Sequence, residues 1–130
     1  MLSKKEIIQL YSHAAVFCCP SIYEPFGIIN IEAMACNTAV VASAVGGIKE
    51  VVVHNETGLL IPVEQQTEAP FEPLDPNKFS KDLANGVNTL INNPELRKSM
   101  AQKGRKRVED YFDWISIAKQ VEDLYKSIKK

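Results

Sequence analysis

The chain has 130 residues, 45% of them hydrophobic, which suits one domain, or part of a larger one, with an apolar core. The formal net charge of −1 argues against nucleic acid or an anionic membrane as a partner. The three cysteines show neither a disulfide framework nor a Cys/His metal pattern. The sequence has no secretory signal pattern and no membrane-length apolar run. These features predict a soluble, cytoplasmic protein.

The first elements are a helix and a strand. Ser3 with Glu6 forms a capping-box pattern, and apolar residues then recur at helical spacing through "IIQLYSHA". The segment "AVFCCP" is short, apolar and ended by Pro20, which predicts a fully buried strand. The adjacent Cys18 and Cys19 are therefore expected to be buried thiols of a reducing compartment.

The central segments alternate between the two types of element. "GIINIEAMAC" has helical periodicity, and Asn37 follows where a left-handed residue commonly ends a helix. "TAVVAS" predicts a second buried strand, closed by the backbone-permissive "VGGI". "IKEVVVHN" predicts a short helix, and "TGLLIP" a third strand.

The last third of the chain, residues 76–130, is predicted to be helical. Asp75 precedes Pro76 and Asn93 precedes Pro94, and an Asp or Asn before a proline at the first helical position is a strong start signal. Asp113 is predicted to cap the final helix, which would run to the last residue.

Residues 63–76, "VEQQTEAPFEPLDP", are predicted to form a long surface loop, because they carry three prolines and four acidic residues. Apolar strands that alternate with helices indicate an α/β fold, here a partial doubly wound, Rossmann-like parallel sheet of about three strands flanked by helices. Residues 1–130 are read as one domain, and the small strand number suggests that it is truncated.

A candidate site lies between the first strand and the second helix. In open α/β sheets, ligands bind at the carboxyl ends of strands, where loops meet the amino ends of helices. The helix here begins near Gly27, so the N–H groups of Gly27, Ile28 and Ile29 are suited to a phosphate or a pyrophosphate. Gly27 allows close approach of the backbone.

Two carboxylates flank this helix start. Glu24 precedes it, and Glu32 lies one turn beyond Ile28. A carboxylate can accept paired hydrogen bonds from vicinal hydroxyls, so one acid could hold a sugar and the other a ribose. The alternative is that Glu24 caps the helix dipole and that Glu32 faces solvent. Spacing alone leaves both interpretations open.

The stretch "PSIYEPFGIINIEAMACNTAVVASAVGGIKEVVVHNETGLLIP" closely resembles the donor-binding region of retaining GT-B glycosyltransferases of the group 1, family 4 type, which include glycogen synthases. The signature of this family is two glutamates separated by seven residues, as Glu24 and Glu32 are. The tail from "DPNKFSKDLANGV" onward resembles glycogen synthases of the actinobacterial and firmicute kind. The resemblance covers essentially the whole chain, which would be the C-terminal half of a nucleotide-sugar-binding domain.

The resemblance also implies roles for individual residues. Glu24 would be the catalytic residue that bonds to hydroxyls of the transferred glucose, and Glu32 would hold the ribose of the donor, ADP-glucose or UDP-glucose. The sugar and the distal phosphate would be bound by Glu24 and by the backbone at Phe26, Gly27, Ile28 and Ile29. In this family the departing phosphate helps to accept the acceptor's proton. No metal or other cofactor is implied, and the acceptor would be an α-glucan.

The chain departs from the family in length and in detail. Family members are much longer and bind the acceptor through an N-terminal domain, which implies that this fragment is inactive alone. Asn37 stands where the family usually has glycine, and Lys49, where it has proline, is interpreted as a surface residue. The alternatives are another retaining transfer (maltose-1-phosphate, sucrose or mannosyl), or a non-catalytic module that forms a homodimer through an exposed "AVFCCP" strand edge.

Overall fold

The computed structural model describes residues 2–128 of the chain. Within these residues, three helices alternate with three strands through the first half, and three further helices form the second half. In chain order the elements are α1 (Lys4–His13), β1 (Val16–Cys19), α2 (Ile28–Ala35), β2 (Ala39–Ser43), α3 (Ile48–Val51), β3 (Gly58–Ile61), α4 (Pro76–Asn92), α5 (Pro94–Tyr111) and α6 (Trp114–Ile128).

The three strands form one parallel sheet in the order β1-β2-β3. In the centre of the register, Val40 of β2 lies opposite Phe17 of β1 and Gly58 of β3. Parallel strands need crossover connections, which α2 and α3 supply. The predicted class, an α/β fold with a three-stranded parallel sheet flanked by helices, is confirmed.

The core has two layers, one on each face of the sheet. Alternate residues of β2 point to opposite faces, as the strand period of two requires. Val40 and Ala42 pack on the side of α2 and α3, whereas Ala39 and Val41 pack on the side of α4 and the start of α5. All five residues of β2 are buried, so this strand is the centre of the molecule.

The helix starts follow the capping signals. Ser3 and Glu6 make both bonds of a capping box. The Oδ1 atoms of Asp75 and Asn93 accept hydrogen bonds from N–H groups in the first turns of α4 and α5. Asp113 accepts a hydrogen bond from the N–H of Ser116 at 2.6 Å. These contacts satisfy donors that a helix cannot pair internally.

Two predictions were wrong in detail. β1 is not fully buried, because it is an edge strand: Cys18 is exposed, and only Cys19 is buried. The third helix ends at Val51 rather than at Asn55, because the chain turns extended at Val52 and leads toward β3.

The final helix, α6, is described as far as Ile128, so the predicted run to Lys130 lies partly outside the described residues. α6 has no buried residue, and Trp114 is 85% exposed. Among residues 2–128, no helix is both long enough and apolar enough to cross a membrane.

Candidate functional site

Three loops meet at the carboxyl end of the sheet. They follow β1, β2 and β3, and they cover residues 20–27, 44–47 and 62–75. The N–H of Ala44 donates to the carbonyl of Ile61 at 2.8 Å, and the N–H of Gly47 donates to the carbonyl of Glu24 at 3.1 Å. Every residue of the predicted site follows β1 in the chain, so the carboxyl end of the sheet holds the candidate site.

The start of α2 is open to a ligand. Gly27 is its N-cap, with a φ of 92°, and it carries no side chain to cap the helix. An added Cβ would lie 2.9 Å from the Nδ2 atom of Asn30 and 3.2 Å from Ile48, so both conformation and space require glycine. The N–H groups of Ile28 and Ile29 are in the first turn of α2, where no carbonyl of the same helix can accept from them. Two main-chain donors are therefore available at a positive helix end.

Glu24 is half-buried beside this helix start. Its Oε1 atom accepts a hydrogen bond at 3.2 Å from the N–H of Gly27, the residue directly before the first helical position. Its other carboxylate oxygen leaves further acceptor capacity, because an ionised carboxylate has about four lone-pair sites. This carboxylate therefore lies beside the helix start with acceptor capacity left over, while no side chain caps the first turn of α2.

The Gly46–Gly47 pair fixes where Glu24 lies. A Cβ on Gly46 would overlap the carbonyl oxygen of Glu24, and a Cβ on Gly47 would lie 2.6 Å from the Cα of Phe26. The two loops thus approach backbone to backbone. The segment "VGGI" alone predicts only a permissive turn, and this role of the two glycines was not predicted. The paired glycines directly after a buried strand were the available signal.

Glu32 has different surroundings from Glu24. It is exposed on α2, and its Oε2 atom accepts a hydrogen bond from the hydroxyl of Tyr11 at 3.4 Å. Burial and the neighbouring carboxylate raise the pKa of Tyr11 above its ordinary value. Glu32 lines a groove of about 670 Å³ between α1 and α2, together with Lys4, Ile7, Ile8, Tyr11, Ala35 and Cys36.

The predicted site residues therefore fall into two neighbouring groups. Glu24, Phe26, Gly27, Ile28 and Ile29 lie together at the mouth of α2, and Phe26 packs edge-on against Phe112. Glu32 lies one turn along the same helix, at the groove.

A buried polar group supports the loop from below. The hydroxyl of Ser43, at the end of β2, lies within hydrogen-bonding reach of the carbonyls of Ser21 and Cys19. Asn30 is fully buried, and its Nδ2 atom lies 3.7 Å from the sulfur of Cys19. These residues connect β1, β2 and α2 directly under the loop that carries Glu24. These residues were not predicted, because the sequence does not show which groups a polar side chain in an apolar run will bond to.

The loop after β3 also reaches the site. The Nε2 atom of Gln65 donates to the carbonyl of Ile22 at 3.0 Å and to that of Phe71 at 3.3 Å. The rings of Tyr23 and Phe71 stack with centroids 5.3 Å apart and an interplanar angle of 13°. The long acidic loop is thus packed against the residues that precede Glu24.

The arrangement combines main-chain donors at a helix end with two carboxylates. The donors and the helix dipole suit an anion, and the carboxylates suit hydroxyl groups. Among residues 2–128, no group of three His, Cys, Asp or Glu side chains could hold a metal ion. Such an arrangement can hold a molecule that carries both an anionic group and hydroxyl groups.

The family model for glycosyl transferases group 1 matches residues 1–70, which is more than half of the chain. The chain belongs to the group 1 glycosyltransferases. The alpha-maltose-1-phosphate synthase of Mycolicibacterium smegmatis is 42% identical to it over 128 residues, covering 98% of the chain and 31% of that protein. The glycogen synthase of Mycobacterium tuberculosis is 30% identical over 129 residues, covering 99% of the chain and 28% of that protein.

Solved structures of glycosyltransferases share the fold. Sucrose-phosphate synthase from Thermosynechococcus elongatus superposes with a TM-score of 0.78 at 38% identity, covering 98% of this chain and 29% of that one. Anabaena HepE, solved in complex with UDP-glucose, superposes with a TM-score of 0.72 at 29% identity, covering 94% of this chain and 30% of that one. The sheet and its helices therefore match the C-terminal domains of GT-B glycosyltransferases, and this glycosyltransferase chain spans under a third of its relatives' length.

Proposed function

We propose that this chain is the donor-binding part of a glucosyltransferase that transfers glucose from ADP-glucose or UDP-glucose to an α-glucan with retention of configuration. The observation that carries the proposal is the half-buried Glu24 beside the open start of α2, with Glu32 one turn further along. The names of two relatives, glycogen synthase and alpha-maltose-1-phosphate synthase, and the UDP-glucose complex of HepE support it.

In this proposal each group of the donor has its own partner. Glu24 is the catalytic residue and accepts hydrogen bonds from hydroxyls of the transferred glucose. The backbone at Phe26, Gly27, Ile28 and Ile29 contacts the sugar and the distal phosphate. Glu32 holds the ribose hydroxyls. The negative charge that develops on the leaving diphosphate then lies at the positive end of α2, where main-chain donors stabilise it.

The acceptor is a separate question, because the chain covers only about 30% of these relatives. The α-glucan follows from the likeness to glycogen synthase. The 42% identity to alpha-maltose-1-phosphate synthase, against 30% to glycogen synthase, favours a second candidate, in which the same glucosyl donor site yields maltose 1-phosphate. The two candidates share the donor site described here and differ in acceptor.

A different class of function is a non-catalytic module that associates with a second copy through β1. The exposed edge of β1 favours it, because an unpaired strand edge is a template for pairing. Such a module has no need of a nucleotide site, so donor titration separates it from the enzyme class.

The proposal is tested by calorimetric titration of the folded chain with ADP, UDP, ADP-glucose and UDP-glucose. We expect weak but saturable binding of one nucleotide and its glucose conjugate. Glu32→Ala should weaken both by about tenfold or more, since hydrogen bonds to a charged group contribute roughly 1.5–3 kcal/mol.

Glu56→Ala is the matched control. Glu56 is also an exposed glutamate, but it lies in the turn before β3, at the opposite end of the sheet. Its removal changes the net charge equally and should leave the affinity unaltered. A folded sample that binds none of the four ligands, or binding that Glu32→Ala leaves intact, would contradict the proposed site.

A further inference from the structure

The loop between β3 and α4, residues 62–75, is built as an ordered support rather than as a simple connection. Main-chain hydrogen bonds join its two halves: the N–H of Gln66 donates to the carbonyl of Glu72 at 3.0 Å, and the N–H of Leu74 donates to that of Glu64 at 2.8 Å. Gln65 and Pro73 form a bridge in the same ladder. The loop is therefore internally ordered, and an ordered loop can restrain the neighbouring segment that carries Glu24.

Gln65 joins this support to the loop that carries Glu24. A glutamine amide has two N–H donors, and here both have a main-chain acceptor, the carbonyl of Ile22 at 3.0 Å and that of Phe71 at 3.3 Å. Ile22 lies two residues before Glu24. The Gln65 side chain thus links the loop of residues 62–75, here called the support, to the loop of residues 20–27 that carries Glu24.

An aromatic contact reinforces the same junction. Phe71 stacks on Tyr23, the residue directly before Glu24, at 5.3 Å between centroids. Phe71 has a φ of 59°, in the left-handed region that bulky residues rarely adopt. Such a conformation persists where surrounding contacts over-determine it. The support thus holds an unfavourable backbone geometry at the point where it contacts the site.

Glu24 is consequently held from two directions. Its own carbonyl is bonded to Gly47 of the loop after β2, and the two residues before it are held by Gln65 and Phe71. Glu32 is independent of this junction, because it projects from α2 and contacts Tyr11 of α1. A change at Gln65 can therefore move Glu24 without moving Glu32.

We propose that Gln65 is a positioning residue for Glu24, so that the loop after β3 controls how tightly the site binds the sugar half of its nucleotide-sugar donor. The inference rests on the proposed function. Binding groups must be held to within roughly half an ångström of their productive geometry, and Gln65 supplies part of that restraint through Ile22.

The test compares affinities for the nucleotide sugar and for the bare nucleoside diphosphate in the same 130-residue chain. Gln65→Ala should weaken binding of ADP-glucose or UDP-glucose by about three- to tenfold, the range expected for one or two lost hydrogen bonds. Affinity for ADP or UDP should stay within about twofold, because the bare nucleotide lacks the sugar that Glu24 binds. General destabilisation would lower both affinities together.

Gln66→Ala is the matched control, since Gln66 is an exposed neighbouring glutamine, whereas the bond to Ile22 is made by Gln65. Phe71→Leu is an independent variant that removes the stack on Tyr23 and keeps the Gln65 bonds, and it should give the same sugar-selective loss. Thermal unfolding of each variant establishes that it is folded.

The outcomes separate the two proposals. If the unsubstituted chain binds neither nucleotide nor nucleotide sugar, the proposed function fails and this inference with it. If it binds both, but Gln65→Ala and Phe71→Leu leave the ratio of the two affinities unchanged, the positioning role is overturned and the donor site stands.

Discussion

Glu24 is the residue on which the candidate site depends, and three other segments determine its position. Its side chain accepts a hydrogen bond from Gly27, its carbonyl accepts one from Gly47, and Gln65 holds the carbonyl of Ile22. Only the first of these contacts uses a side chain of the two-glutamate signature, and the other two are made to main-chain carbonyls of the loop. The geometry of the signature is therefore a property of the loops around it.

Gly47→Ala tests this dependence. Gly47 has an ordinary φ of −72°, so alanine is conformationally allowed there, but its Cβ would meet the backbone of Pro25 and Phe26. We expect the free energy of unfolding to fall by roughly 1–3 kcal/mol, the usual cost of overpacking. Urea denaturation measures it.

Gly104→Ala is the matched control, because within α5 its Cβ would lie 3.3 Å from the Cγ of Met34 and 3.4 Å from the carbonyl oxygen of Thr57, which are much looser contacts than those at Gly47. There alanine's helix propensity offsets the contact, and the change should stay within about 1 kcal/mol of zero. Equal losses from the two substitutions would contradict the special role of Gly47.

Sequence alone could predict the two glutamates but not how they are held. The spacing of Glu24 and Glu32 around a helix start suggests both a cap and a ligand site, and in the structure Glu24 bonds to the N–H of Gly27 with acceptor capacity left over. Gln65 could not be predicted, because its two acceptors are main-chain carbonyls, one of them 43 residues away in sequence.

Among the elements, β1 differs most from its prediction. A continuous apolar run indicates a strand buried on both faces, but it does not say how many strands the sheet has. β1 is an edge strand, so Cys18 is exposed while its neighbour Cys19 is buried against α2. Partial desolvation by the surrounding protein and, second, the nearby Cys19 raise the pKa of the Cys18 thiol even though part of this side chain is open to solvent.

Thiol labelling tests this arrangement of the edge strand. Iodoacetamide should modify Cys18 well before Cys19 in the folded chain, because only Cys18 is exposed. Its rate should keep rising as the pH increases beyond the range of an ordinary thiol, since the thiolate is the reactive form and the pKa is raised. Tandem mass spectrometry that fragments the tryptic peptide between Cys18 and Cys19, with Cys18→Ser as the control, measures the order of reaction.

Equal rates for the two cysteines would contradict the edge assignment. Protection of Cys18 that grows with protein concentration would instead indicate pairing of β1 with a second copy.

The helices were the most predictable elements, because their signals are local. Asp75 and Asn93 cap α4 and α5 as the Asp-Pro and Asn-Pro pairs predict. Asn37 adopts a φ of 61°, the left-handed conformation predicted for the residue that ends the helix before it. The short helix α3 was predicted too long, since valines at 52 and 53 suit either a helix end or an extended segment.

At the scale of the whole molecule, the helices cover both faces of a sheet whose carboxyl end carries the candidate site. The chain spans about 30% of the relatives that it matches, and it matches them over nearly its whole length. The class of fold was predictable from alternating strands and helices. The acceptor was not predictable, because the chain covers only this part of its relatives.

The most direct test is a comparison of ADP, UDP and their glucose conjugates on Glu24→Gln and Glu32→Gln by calorimetric titration. Glutamine keeps the shape of each side chain and removes its charge. We predict that Glu32→Gln weakens nucleotide and nucleotide sugar by the same factor, about tenfold, whereas Glu24→Gln weakens only the nucleotide sugar. Equal effects of both substitutions on every ligand, or no effect of either, would contradict the account.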